Sequence, residues 1–178
     1  MVSLGAIPLL VLGCSESEAP PPSAPDEPVF DALALPEDWA AATPKDDPLV
    51  DDPERVPACQ SGAFWSEPEL GWLEIDSGAC SWVTLHARAR RGLAKGQQLL
   101  IEVSHFDLVA SAPAEATLKL ALADCPAWSK RIAIPSEAAV YSEQLRSPCA
   151  VNEGDSIWFH VDNHGQNAYQ LRALMAER

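Results

Sequence analysis

Strict alternation of apolar and polar residues constrains this chain more than any other feature. From Trp82 to Arg90, Val83, Leu85, Ala87 and Ala89 fall on one side, and Trp82, Thr84, His86, Arg88 and Arg90 on the other. Successive side chains on a β-strand point to opposite faces, so a period of two predicts a strand with one face buried and one in water. Ser156 to Asp162 repeats the pattern, with Ile157, Phe159 and Val161 opposed to Trp158, His160 and Asp162. Gly154-Asp155 turns the chain into that strand. Asn163-His164-Gly165-Gln166-Asn167 turns it out again toward Tyr169 to Met175. Further matches run from Trp72 to Ile75, Gln97 to His105, Thr117 to Ala123, Lys130 to Pro135 and, more weakly, Val140 to Leu145. About eight short strands with turn signals between them, and no long amphipathic helix, predict an all-β fold, an antiparallel β-sandwich or jelly roll.

Composition divides the chain near residue 56. Residues 15 to 56 carry twelve Asp and Glu against Lys45 and Arg55, so most of the net charge of −14 belongs to this leading segment. Pro20 to Pro22 favour extended geometry and the like charges repel, which predicts an acidic, Pro-rich tether over 14–56, with little fixed structure from 15 to about 27, ahead of a sandwich domain over 57–178. Val29, Phe30, Leu33, Leu35 and Trp39 are too apolar for a plain linker. They are expected to pack along the domain and hide a sheet edge, the alternative being a grip on a partner. Nothing is basic enough to make nucleic acid a partner.

Residues 1–13 form an apolar run too short to span a bilayer, which needs about 20 residues. Val11-Leu12-Gly13-Cys14 resembles the lipobox of bacterial lipoproteins, although no Lys or Arg precedes the run. That resemblance implies a signal peptide over 1–13, a lipidated Cys14 and an exported protein anchored in a membrane of the cell envelope. Ser15 after the Cys implies the outer membrane. Cys59, Cys80, Cys125 and Cys149 remain. An even number in an exported chain predicts two disulfides; of the three connectivities, Cys59 with Cys80 and Cys125 with Cys149 each close a local excursion. No Cys-x-x-Cys spacing supports zinc instead.

Two groups of side chains suit a ligand. His160-x-Asp162-x-His164 puts ligating groups at alternate positions running off a strand, and His105 ends another. Together His105, His160 and His164 are candidates for a divalent metal, with turn-building as the bland alternative. Trp82 and Trp158 share the polar parity of their strands. If those strands are neighbours, a Trp-Thr-His-Arg row lies beside a Trp-His-Asp row, as a sugar ring requires. The architecture and the Gly-Asp-Ser-Ile-Trp-Phe-His-Val strand resemble β-sandwich carbohydrate-binding modules. The resemblance implies Trp82, His86, Arg88, Trp158, His160 and Asp162 as ligand-binding candidates. Nucleophile-elbow, zincin, P-loop and dinucleotide motifs are absent. Ser104-His105-x-Asp107 is too local for a triad, while a carboxylate pair such as Glu102 and Asp162 stays open. The expected function is non-catalytic: binding a glycan or an envelope protein, or a structural role. The alternative is a metal-binding protein or metal-dependent hydrolase.

Overall fold

The computed structural model describes residues 28–43, 47–49 and 62–178. Cys14, Cys59, the segment 1–27 and the domain boundary placed at 56/57 lie outside the described residues. Eleven strands are described: β1 (Phe30–Ala32), β2 (Ala40–Ala41), β3 (Phe64–Glu67), β4 (Trp72–Asp76), β5 (Trp82–Arg88), β6 (Gln98–His105), β7 (Ala114–Leu122), β8 (Cys125–Ile134), β9 (Ala139–Arg146), β10 (Ser156–Asp162) and β11 (Ala168–Glu177). Every strand pairs antiparallel with its neighbours. One sheet has the order β3-β4-β11-β6-β9, with β1 added at the end of β11. The other has the order β2-β5-β10-β7-β8. The expected β-sandwich is therefore the observed one.

Alternation builds the core. Leu85, Leu118, Leu120 and Phe159 point inward from the five-stranded sheet, and Ile75, Ile101, Val103 and Tyr169 from the six-stranded sheet. Each sheet keeps an outer face, where the polar parity of the strands collects.

Residues 28–43 are part of the sandwich. β1 pairs with Met175 to Glu177, β2 pairs with Leu85 and His86, and a short 3₁₀ turn, Pro36–Asp38, lies between them. Leu33 is fully buried, and Trp39 meets the Phe159 ring edge-on at 6.4 Å. The apolar strip does cover sheet edges, as its composition requires.

β8 begins five residues before its expected start. Its hairpin with β7 turns on Ala123-Asp124, with Ala123 at φ 51°, a left-handed conformation that turn glycines usually supply. Pro126 sits where the register shifts between Leu120 and Ala121, on the edge strand, where a missing N–H breaks no inner ladder. Neither feature reads locally as a strand.

Candidate functional site

The predicted row on the five-stranded sheet exists. β5 and β10 are neighbours, with Ser156 opposite Arg88, Trp158 opposite His86, His160 opposite Thr84 and Asp162 opposite Trp82. Its two ends differ. Trp82 and His160 are each only 3% exposed, their rings 5.8 Å apart, and the Thr84 hydroxyl meets His160 Nδ1 at 2.7 Å. Lys119, across from His160 on β7, donates to the Leu49 carbonyl, so residues 47–49 lie against this face. At the other end His86 and Trp158 stay half-buried, with ring centroids 5.7 Å apart, and Arg88 is exposed. The two indoles thus form no continuous platform.

The proposed metal group does not assemble. His105 faces inward at the end of β6, in the six-stranded sheet, packed against Tyr141 and Tyr169. His160 lies in the five-stranded sheet. His164 is in the turn after β10, where its Nε2 meets the Val109 carbonyl at 2.9 Å. No group of three or more His, Cys, Asp or Glu among the described residues is placed to hold a metal ion. Glu102 and Asp162 sit in different sheets at outward parity, so they cannot flank one glycosidic bond. Ser104 and His105 point to opposite faces of β6, which ends the local triad.

The outer face of the six-stranded sheet carries a constellation that the sequence did not reveal. Trp65, Glu74, Gln170, Ser104 and Val140 are register partners in series across β3, β4, β11, β6 and β9. Four gaps of about 4.8 Å make this row roughly 19 Å long. Ser104 Oγ donates to Gln170 Oε1 at 2.9 Å, and Gln170 Nε2 donates to Glu74 Oε1 at 2.9 Å. Gln170 is only 2% exposed, so these polar groups form the floor of a groove. Phe106 (68% exposed) and Val140 (56%) line it, and the exposed Trp65 ends the row on β3. Beside Gln170 the register of β11 shifts between Leu171 and Ala173, and the residue at the bulge is Arg172. A bulge re-aims a side chain. Here it carries the guanidinium over the Trp72 ring, 5.4 Å from its centroid, with Nε 3.1 Å from Glu102. A cavity of about 270 Å³ opens among Trp72, Ser104, Phe106, Val140, Gln170 and Arg172.

No protein-family model matches this chain, and no curated protein matches it. It is similar in structure to a protein described as "CBM4 structure and function", at 13% identity and TM-score 0.46, over 86% of this chain and 96% of that one. A CBM22-1 xylan-binding domain from Paenibacillus barcinonensis gives 11%, TM-score 0.42, and 85% and 97%. An arabinose-bound α-L-arabinofuranosidase gives 9%, TM-score 0.43, and 70% of this chain, which spans only 25% of that enzyme.

Burial pushes the Glu74 carboxyl above its ordinary value of 4.5, against the hydrogen bond from Gln170 that favours its charge; Glu67 and Asp76 add to the upward push. A folded-state value above the unfolded one means that the native protein holds this proton more tightly. The stability from this group is full below the unfolded value and is lost as pH rises through the folded one. Thermal melts are therefore expected to show a smaller decline for Glu74→Gln than for the parent as pH rises above the ordinary carboxylate range.

Cys125 and Cys149 are free thiols in contact. Burial pushes Cys149 up to about 11, with the hydrogen bond and charge of Cys125 acting in the same direction. The expected Cys125–Cys149 pair is thus adjacent but reduced. Cys80 is buried and is not among the free thiols.

Proposed function

We propose that this chain is a non-catalytic module that binds a glycan chain along the outer row of the six-stranded sheet. The observation that carries the reading is the groove itself: buried hydrogen-bonding groups on the floor, with indoles and apolar side chains beside them. Sugars need both, since their ring faces are apolar and their edges are hydroxyls. A row roughly 19 Å long suits several linked rings rather than one.

The test uses the full chain carrying Cys14→Ser and a panel of plant and bacterial cell-wall polysaccharides, read by thermal shift and titration calorimetry. Trp65→Ala is expected to weaken binding about tenfold, the equivalent of roughly 1.4 kcal/mol, because its ring is exposed and little of the fold depends on it. Arg172→Ala is expected to act in the same direction. Unchanged affinity in the double variant, or a panel without a single ligand, sinks the reading. The exposed Phe106, Val109 and Val140 favour a second reading, a protein partner of the envelope. In that case Phe106→Ser abolishes partner capture while the glycan panel stays flat.

The reading includes export, a lipid anchor at Cys14 in the outer membrane, and a Cys125–Cys149 disulfide. The bond is expected to form in an oxidising compartment. Intact mass and thiol titration are expected to show Cys125 and Cys149 oxidised in protein recovered from the envelope. They are expected to show the same pair reduced in protein made in a reducing cytoplasm.

A further inference from the structure

We propose that the pocket at the open end of β5 and β10 is a second binding site, for a single uronic-acid ring. Ala42, Thr43, His86, Arg88, Ser156 and Trp158 enclose about 290 Å³ there. That is near the lower limit of small-ligand pockets, which suits one ring and not a chain.

The chemistry of the lining selects an anion. Arg88 uses Nη1 alone, donating to the Gly154 carbonyl at 3.3 Å and to Ser156 Oγ at 3.0 Å. These two bonds hold the guanidinium at the pocket, and its Nε and Nη2 have no acceptor among the described residues. A planar guanidinium with free donors is a carboxylate receptor. The chain carries a net charge of −14, yet among the described residues no carboxylate lines this pocket and none pairs with Arg88. Trp158 and His86, register partners tilted at 49° to each other, supply the flat faces for the apolar side of a ring. A neutral sugar would leave the cation unanswered. An inorganic anion would leave the indole unused. A ring that carries a carboxylate uses both.

The site is separate from the groove, because it lies on the other sheet's outer face. The experiment is an NMR titration of the full chain with Cys14→Ser, following the Trp158 indole N–H resonance, assigned with Trp158→Phe. Galacturonate and glucuronate are the ligands; galactose, glucose and acetate are the controls. The uronates are expected to move the resonance saturably, the neutral sugars and acetate are not, and added salt is expected to weaken the effect. Arg88→Gln is expected to weaken uronate binding at least tenfold, and Trp65→Ala to leave it unchanged. A flat uronate titration, equal responses to galactose or acetate, or parental affinity in Arg88→Gln overturns the assignment. Loss of binding in Trp65→Ala would overturn its separateness from the groove.

Discussion

Leu33→Ala is expected to cost about 2–5 kcal/mol of folding free energy, read as a fall in the urea midpoint without a change in slope. The residue lies in the leading segment, far in sequence from the domain it serves, yet it is fully buried. Its N–H donates to the Leu174 carbonyl at 2.8 Å, and its carbonyl accepts the Arg90 N–H at 2.9 Å. It therefore tethers β11 of one sheet to the end of β5 in the other, directly after β1. Trp39 adds a second buried anchor against Phe159. Among the described residues four ion pairs accompany these contacts: Asp31 with Arg91 and with Arg178, and Arg90 with Asp38 and with Glu37. They lie at the surface, where such pairs contribute little. Asp31→Ala is thus expected to move the midpoint far less than Leu33→Ala. A chain that begins at residue 44 loses Leu33 and Trp39 together and bares the edge of β5. It is expected to lose the cooperative transition. A cooperative melt of that chain within a few degrees of the parent would show that the leading segment is an accessory and not part of the core.

Parity along single strands was legible, and relations between strands were not. Val83, Leu85 and Ala87, and Ile157, Phe159 and Val161, all face inward as their alternation requires. Trp82 and His160 have the expected outward parity, but each ring packs on the other, and segment 47–49 lies against the same face. Parity gives a direction and cannot say what lies above a face. Ala40-Ala41 carries no strand pattern; it becomes β2 because the open edge of β5 offers unpaired backbone. The groove was hidden for two reasons. Its row draws one residue from each of five strands that are scattered through the sequence. The bulge at Arg172 also breaks the alternation between Tyr169 and Met175, so the outward residues of β11 change parity midway. The turn after β10 misled in the opposite sense. Its Asn and His side chains are of ligand type, but the fold uses them to pin other loops.

Ser77→Ala measures how much that pinning contributes. Ser77 is buried, and its hydroxyl donates to the Asn167 carbonyl at 2.6 Å. It also accepts from Asn163 Nδ2 at 2.8 Å and from the Asn167 N–H at 3.0 Å. Asn167 in turn holds the Val109 N–H and carbonyl through its amide. Removing the hydroxyl leaves two buried donors without a partner, at about 1–3 kcal/mol each, so a loss of roughly 2–6 kcal/mol is expected. Ser66→Ala is the matching control. The Ser66 hydroxyl is also buried, but it has no hydrogen-bond partner among the described residues. There the same chemical change discards an unpaid desolvation cost, and a neutral or slightly stabilising effect is expected. Hydrogen exchange separates the two further. Ser77→Ala is expected to speed exchange at Asn167 and Val109 beyond the global change, because the loop that carries Phe106 beside the groove hangs from Asn167. Equal effects of the two serine substitutions would mean that the Ser77 network is ordinary surface hydration, and that the Asn163–Asn167 turn holds its shape by backbone geometry alone.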